Sequence, residues 1–332
     1  MRRGFLSAAC LCLIAVAVGH TPASAQELTL EAVNKAEFGA KQEVKKDVPS
    51  PTIVKAQVLL DRARFSPGVI DGHMGENVKK ALAGFQRSNG LRDSGDLDQD
   101  TWTKLVATSS DPVLKEHTIS DDDVKGPFID KLPGFEEQAE LKRLAYTGPR
   151  EKLSETFHMD EDLLKALNPK KSFDKEGTVI VVAAVGGPPG KEEKGRVAKI
   201  EIDKKLLVLR ALDKEGNFVA FYPASIGSGE RPAPSGTFTV RAVAMNPAYT
   251  YNPKYKFEGV KPDKPFEIAP GPNNPVGSVW IALDKEGYGI HGTPDPDKVS
   301  KSYSHGCVRL TNWDAEELAR MVDKGTAVAF IE

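Results

Sequence analysis

Hydrophobic residues recur at helical spacing through the first part of the chain. Three stretches each place such residues on one face of a helix: Ala56, Leu59, Leu60 and Ala63, then Val78, Ala81, Leu82 and Phe85, and last Trp102 and Leu105. Gly90 can end the second helix, and Asp98 or Asp100 can cap the third. The pattern predicts a small three-helix domain over residues 51–108.

A different pattern occupies residues 143–185. Two short helical stripes, formed by Leu153 and Phe157 and by Leu163, Leu164 and Leu167, precede the β-branched run Thr178–Val182. This order predicts a small α+β module that closes on a strand. Residues 109–142 are charged and show no period, so we interpret them as a connector whose run Asp121–Asp123 forms a solvated turn.

From residue 196 onwards the hydrophobic pattern becomes that of strands. The candidates are Ile200–Ile202, Leu206–Leu209, Phe218–Tyr222, Thr237–Val240, Val279–Leu283 and Ala327–Ile331. One helix near the end carries the stripe Leu318, Met321 and Val322, with Asn312 or Asp314 as its cap and Gly325 as its stop. A Gly/Pro-rich and charged linker at 186–195 precedes this mostly-β domain of residues 196–332.

The first 25 residues have the layout of a secretory signal peptide. Arg2 and Arg3 precede an apolar run from Gly4 to Val18, and Ala23-Ser24-Ala25 ends the segment with small residues. The alternative is a membrane anchor, but the run is shorter than the roughly 20 residues that a spanning helix needs. We therefore expect cleavage after Ala25, no transmembrane segment afterwards, and a flexible leader over residues 26–50.

Composition then narrows the classes of function. Lys and Arg number 45 and Asp and Glu 47, so no polybasic surface is implied and nucleic acid is an unexpected partner. The chain has only three cysteines, and cleavage would remove Cys10 and Cys12. The single cysteine of the exported chain, Cys307, would then be buried and inert, paired with another chain, or a nucleophile.

The surroundings of Cys307 favour the nucleophile. His291 lies sixteen residues before it and His305 two before it, and a histidine within hydrogen-bond reach can take the thiol proton. Gly306 permits a close backbone approach to a reacting carbonyl, and Arg309 adds positive charge. The other interpretations are a buried cysteine with two structural histidines, and a zinc ion held by His291, His305 and Cys307.

The same residues resemble the signature of the L,D-transpeptidase family with its YkuD-type catalytic domain. The matching motifs are His291-Gly292-Thr293 and Ser304-His305-Gly306-Cys307-Val308-Arg309-Leu310-Thr311-Asn312, with Ser225-Ile226-Gly227, Pro232–Phe238 and Ala269–Pro275 upstream. Val54–Leu105 resembles the small peptidoglycan-binding domain, and residues 143–185 resemble the latter part of a LysM module. The fold expected is multidomain: a mostly-β YkuD-like catalytic domain preceded by a small three-helix domain and a small α+β module.

The resemblance implies a mechanism and a set of site residues. Cys307 would attack the carbonyl between residues three and four of a peptidoglycan tetrapeptide stem, and His291 would carry the proton, oriented by the Gly292 carbonyl. His305, Gly306 and Cys307 would form the oxyanion loop, and Arg309 would secure that loop or a substrate carboxylate. Ser304, Thr293 and Tyr288 are the expected substrate-binding residues, and the loop from Asn246 to Glu267 would shape substrate choice.

The resemblance also implies partners and a location. Peptidoglycan stems and glycan would be bound, with a stem amine or an envelope protein as acyl acceptor, in the periplasm and in contact with the cell wall. No cofactor and no metal are expected, and carbapenems should acylate the cysteine. Two alternatives stay open: an L,D-carboxypeptidase that transfers to water, and a non-catalytic wall-binding protein.

Overall fold

The computed structural model describes residues 28–39, 48–227, 232–253, 264–301 and 306–332. Its α-helices within these ranges are α1 (Leu30–Asn34), α2 (Pro51–Arg62), α3 (Glu76–Ser88), α4 (Gln99–Val106), α5 (Asp121–Val124), α6 (Pro149–Thr156), α7 (Glu161–Leu167) and α8 (Asn312–Met321). Short 3₁₀ turns lie at Glu137–Glu140, Lys191–Glu193 and Pro296–Lys298. The predicted signal peptide lies outside the described residues.

The strands of these ranges fall into three sheets. They are β1 (Leu114–Thr118), β2 (Val179–Ala183), β3 (Lys199–Asp203), β4 (Val208–Leu212), β5 (Phe218–Pro223), β6 (Ser225–Ile226), β7 (Gly236–Met245), β8 (Tyr249–Tyr251), β9 (Phe266–Ile268), β10 (Val279–Leu283), β11 (Gly289–His291), β12 (Val308–Arg309) and β13 (Ala327–Ile331). β1 pairs with β2, β8 pairs with β9, and the other nine form one sheet in the order β5-β4-β3-β13-β7-β10-β11-β12-β6. The multidomain, mostly-β fold expected from the sequence is confirmed.

The predicted three-helix unit is present as α2, α3 and α4. Asp98 caps α4 by accepting the backbone N–H of Thr101 at 2.8 Å, as one of the two predicted caps. Leu82, Phe85 and Leu105 are buried at the centre of the unit, on the stripes that the sequence indicated.

Two regions upstream of the β domain differ from their predictions. The leader contains α1, where Val33 is fully buried and the Asn34 side chain bonds the backbone of Leu114 through both its amide nitrogen and its oxygen. The stretch interpreted as a connector contains β1, the antiparallel partner of β2. The α+β unit therefore begins upstream of residue 143, with β1 as its first strand and α6 and α7 between its strands.

The acidic run also differs from the predicted turn. Asp121–Val124 forms helix α5 with a capping box, in which Ser120 and Asp123 bond each other's backbone N–H groups. Carboxylates in a first helical turn interact favourably with the helix dipole, which explains why three successive acids are tolerated there.

The β domain packs α8 against its large sheet. The helix begins after Thr311, whose hydroxyl accepts the N–H of Asp314 at 3.2 Å, so the cap is neither Asn312 nor Asp314. The side chain of Asn312 is thereby available for contacts elsewhere. No helix in the described part of the chain is both long and apolar enough to cross a membrane.

The N-terminal units pack directly against the β domain. Phe65, which follows α2, stacks on Phe221 of β5 with the ring centroids 6.3 Å apart. Two backbone hydrogen bonds of 2.8 Å flank this contact, from Ser66 N–H to the Phe221 carbonyl and from Phe221 N–H to the Arg64 carbonyl. Arg64 adds an ion pair with Glu193 at 2.8 Å. Phe221 belongs to the same buried cluster as the helical core, so the units share hydrophobic interior.

Candidate active site

Two short parallel strands bring the predicted catalytic residues together. In the pairing of β11 with β12, Ile290 lies opposite Val308 and His291 opposite Arg309. Cys307 directly precedes β12, two residues before Arg309. Because paired residues share a face, His291 and Arg309 project from the same side of the sheet, and Cys307 is close enough to Arg309 to interact with it electrostatically. The pairing of β11 with β12 thus brings the segments that contain His291 and Cys307, sixteen residues apart in sequence, next to each other.

His291 is buried and held in one orientation. Its Nδ1 lies 2.7 Å from the Gly292 carbonyl oxygen. A carbonyl only accepts, so Nδ1 carries the proton and Nε2 retains the lone pair. The imidazole stacks on the indole of Trp280, the partner of His291 in β10, with the ring centroids 5.5 Å apart.

The same surroundings keep this imidazole neutral. Burial, followed by the nearby positive charge of Arg309, lowers the pKa of His291 to about 3, against the opposing effect of the Gly292 hydrogen bond. At neutral pH the residue is therefore a neutral imidazole with an available lone pair, which is the form that can accept a proton.

Cys307 is half-buried and follows Gly306, a position where the backbone conformation favours glycine. Gly306 has a φ of +97°, a conformation that side-chain-bearing residues rarely adopt. The Cys307 Sγ lies 3.7 Å from the Gly287 carbonyl oxygen. Arg309 interacts electrostatically with Asp295 and Cys307, while burial lowers the pKa of its guanidinium. A positive charge at this position favours a thiolate.

The remaining predicted site residues have different surroundings. Thr293 is buried, and its hydroxyl accepts the N–H of Asp295 at 3.2 Å, which favours a role in loop structure over direct substrate contact. Tyr288 is half-buried, with the Lys285 ammonium 5.3 Å from its ring. Ser304 and His305 lie outside the described residues.

The zinc alternative finds no ligand cluster in the described ranges. Among those residues, no group of three or more His, Cys, Asp or Glu side chains is placed to hold a metal ion. His305, one of the three ligands considered for zinc, lies outside those ranges.

Two residues that contact the site, Trp280 and Asn312, were not predicted from the sequence as site residues. Trp280 is a strand residue that only the β10–β11 register places against His291. Gly289 makes room for it, since a Cβ there would lie 2.6 Å from the indole. Asn312, interpreted as a helix cap, instead accepts the N–H of Thr293 at 3.1 Å through its side-chain oxygen. Asn312 is the last residue of the motif that contains Cys307, and this position could have indicated a role in the site.

Comparison with known families agrees with this geometry. Residues 196–329 match the family described as the L,D-transpeptidase catalytic domain, YkuD. This match identifies the C-terminal β domain as similar to the YkuD family, and residues 196–329 are its YkuD domain. Residues 49–105 match the family of peptidoglycan-binding domains. The resemblances to the YkuD domain and to the peptidoglycan-binding domain are thereby confirmed, while the LysM-like interpretation of residues 143–185 stays a prediction. The YkuD match includes every predicted catalytic residue.

The curated relatives match part of this chain. The YkuD protein of Bacillus licheniformis is 47% identical over 60 residues, which are 18% of this chain and 36% of the relative. YqjB of Bacillus subtilis is 35% identical over 32% of this chain and 56% of its own length, and YbiS of Escherichia coli is 28% identical over 56% and 61%. All three carry L,D-transpeptidase in their names. The chain thus spans about a third to three fifths of their lengths.

Solved structures with similarity to this chain carry the same name. A mutant of the Enterococcus faecium L,D-transpeptidase is 23% identical over 41% of this chain and 50% of that chain, with a TM-score of 0.32. L,D-transpeptidase 3 from Mycobacterium tuberculosis is 17% identical over 49% and 78%, with a TM-score of 0.35.

Proposed function

We propose that the protein is a peptidoglycan L,D-transpeptidase with Cys307 as its nucleophile. The observation that carries the proposal is the state of His291: a buried, neutral imidazole with Nδ1–H bonded to the Gly292 carbonyl at 2.7 Å. That arrangement leaves Nε2 available as a base, and Cys307 directly precedes β12, whose Arg309 lies opposite His291. The Gly292 carbonyl has the orienting role that a carboxylate has in other nucleophile triads.

The proposed reaction has two acyl transfers. The Cys307 sulfur attacks the carbonyl carbon between stem residues three and four, and its proton passes to His291. The C–N bond then breaks, and D-alanine leaves with the proton that His291 returns, so a thioester remains. An amine next attacks the thioester carbon, its proton passes by way of His291 to the sulfur, and the C–S bond breaks. Backbone N–H groups at residues 305–307 would stabilise both oxyanions.

Peptidoglycan is the proposed partner of both the YkuD domain and the three-helix domain. The YkuD domain would bind the stem peptide, and the three-helix domain would hold the enzyme on the wall. The acceptor amine would come from a diaminopimelate side chain, giving a 3→3 cross-link, or from an envelope protein. We place the reaction in the periplasm, at the cell wall, because the first 25 residues resemble a signal peptide.

A direct test uses residues 26–332 with a disaccharide-tetrapeptide. Mass spectrometry should detect loss of D-alanine and a cross-linked dimer, and a carbapenem should add to Cys307. Cys307→Ala should lose at least about a thousandfold in rate, since removal of a catalytic nucleophile typically costs that much or more. Full activity of Cys307→Ala would disprove the mechanism.

The products decide between the remaining alternatives. D-Alanine loss without dimer, at high acceptor concentration, would indicate an L,D-carboxypeptidase that uses water. Binding to sacculi without any change in the muropeptides, and without a carbapenem adduct, would indicate a wall-binding protein whose thiol is idle.

A further inference from the structure

One peptide group of the active site is held from both sides. The Gly292 carbonyl accepts from His291 Nδ1, and the N–H of the same peptide unit, that of Thr293, donates to the Asn312 side-chain oxygen at 3.1 Å. The plane of this unit is rigid, so fixing its N–H fixes the direction of its carbonyl. Bonds in such a chain also polarise one another, which strengthens the acceptor that orients His291.

The fit around Asn312 leaves no room for side chains. A Cβ on Gly292 would lie 2.2 Å from the Asn312 oxygen, and a Cβ on Gly277 would lie 2.0 Å from it. The oxygen also accepts the N–H of Ser278 at 3.1 Å. Asn312 therefore joins two backbone segments, and its orientation decides where the catalytic loop lies.

That orientation is fixed from the N-terminal part of the chain. The Asn312 side-chain nitrogen donates to Oε2 of Glu155, on α6, at 3.0 Å and to the Pro272 carbonyl at 3.2 Å. Glu155 is buried and lies 157 residues before Asn312. Burial raises the pKa of Glu155 to about 8, so this acceptor is uncharged at neutral pH and suits an interior site.

We propose that Glu155 is a positioning residue of the catalytic site and that it acts through Asn312. The α+β unit ahead of the YkuD domain then completes the active site in addition to any role in binding. The chain of contacts runs from Glu155 to Asn312, to the 292–293 peptide and to His291. This inference rests on the proposed function, because the carbonyl is taken to orient a catalytic imidazole.

The first test replaces Glu155 in residues 26–332. Glu155→Leu removes the acceptor but keeps an apolar side chain of similar volume, and kcat should fall about tenfold, the effect of about 1.4 kcal/mol, with KM changed less than about twofold. Glu155→Gln keeps an oxygen acceptor and should remain within about threefold of wild type. Glu193→Ala is the matched control, since Glu193 bonds Arg64 across the same contact between units and does not touch Asn312.

A second test exchanges donor and acceptor. Asn312→Asp removes the amide that donates to Glu155 and to the Pro272 carbonyl, and it should lose activity most strongly at about pH 9, where Glu155 is ionised and two carboxylates face each other. Combining it with Glu155→Gln should restore at least half of the logarithmic loss, because the glutamine nitrogen can then donate to the aspartate oxygen. This rescue applies even if Glu155→Leu fails to fold, and failure of the double variant to recover would overturn the proposal.

Nitrogen-15 NMR of His291 gives a readout that needs no substrate. In wild type, Nδ1 should be protonated and Nε2 not, and Glu155→Leu should show a mixture of the two tautomers. Unchanged nitrogen shifts and kcat in Glu155→Leu would refute the inference, as would an equal loss in Glu193→Ala. An inactive wild type would refute the proposed function instead, while the NMR comparison would still judge the positioning role.

Discussion

At the scale of single residues, the site is organised around an imidazole that is kept from charging. His291 is covered by Trp280 on one face, and burial and Arg309 both disfavour the imidazolium. A cation so disfavoured forms only when a negative charge develops beside it, as it does when Cys307 releases its proton. We therefore expect Cys307 and His291 to be a neutral thiol and a neutral imidazole at rest, and to form a thiolate and an imidazolium only during the reaction.

Trp280 gives a test of this environment. Trp280→Ala uncovers the ring, so water can solvate the imidazolium and the pKa of His291 should rise from about 3 towards its usual value. Because the neutral form is the base, the acidic limb of kcat/KM should move to higher pH, with activity at pH 5 reduced relative to pH 7. NMR titration of His291 measures the pKa directly.

The control for that experiment keeps an aromatic face. Trp280→Phe should leave the acidic limb within about half a pH unit of wild type, since burial is the first cause of the shift. An unmoved acidic limb in Trp280→Ala would show that burial by the indole does not set the pKa.

The sequence predicted the residues of this site unevenly, for physical reasons. Two short motifs contain the predicted catalytic residues Cys307, His291, Gly306 and Arg309. The spacing within these motifs was enough to predict a cysteine nucleophile with a histidine base. Trp280 and Glu155 reach the site only through strand register and through packing between units, and neither leaves a local trace. Asn312 was predicted to be a helix cap because a polar residue at the start of a helix commonly caps it, but Thr311 is the cap.

At the scale of elements, the strands at the proposed catalytic site are among the shortest in the described part of the chain. β6, β11 and β12 contain two or three residues each, too few for an alternating pattern, and all three escaped prediction. β3 was predicted because hydrophobic and polar residues alternate along it, and its Ile200 and Ile202 are fully buried. The domain class was therefore predictable, whereas the order of the sheet around the site was not.

The β8–β9 hairpin shows how a segment outside the YkuD domain can order one inside it. Phe135, from the stretch between α5 and α6, packs edge-on against Tyr249, Tyr251 and Phe266, with ring centroids 5.8 to 5.9 Å away. The β8–β9 pair overlaps the loop from Asn246 to Glu267 that is expected to shape substrate choice. Aromatic pairs of this geometry contribute about 0.5–1.5 kcal/mol each beyond their burial.

We therefore expect Phe135→Ala to loosen the hairpin. Hydrogen exchange at 249–251 and 266–268 should become at least about tenfold faster, which corresponds to about 1.4 kcal/mol of lost local stability. Exchange in β3 and β13 should be unchanged. Phe238→Ala is the control, since it removes an edge-on contact with Phe330 elsewhere in the domain. Equal exchange of the hairpin in Phe135→Ala and wild type would exclude Phe135 as its support.

At the scale of the whole molecule, the contact between the N-terminal units and the YkuD domain buries ionisable groups. Asp314 accepts the Ser66 hydroxyl at 2.9 Å, and Glu317 lies 3.5 Å from Arg64. His158 bonds Asp61 at 2.8 Å and stacks on Trp313. Burial raises the pKa of Asp314 to about 8 and that of Glu317 to about 7. The folded chain thus binds protons at neutral pH that the unfolded chain releases.

The sign of the pH dependence follows from those shifts. A carboxyl whose pKa is about 4 in the unfolded chain and 7 to 8 in the folded chain stabilises the fold fully below pH 4. That contribution is lost as pH rises through the folded values, by up to about 1.4 kcal/mol per pH unit and group. We expect the melting temperature to fall from pH 5 to pH 9, with the domain contact opening first.

Asp314→Asn tests whether this contact is the source. The amide can accept the Ser66 hydroxyl and cannot ionise, so the melting temperature of the variant should fall less steeply between pH 5 and pH 9 and exceed that of wild type by a few degrees at pH 9. Asp213→Asn is the control: the pKa of Asp213 is lowered by hydrogen bonds from its own turn, so its titration lies below this window. If both variants follow the wild-type slope, Asp314 does not link proton release to the docking of the N-terminal units on the YkuD domain.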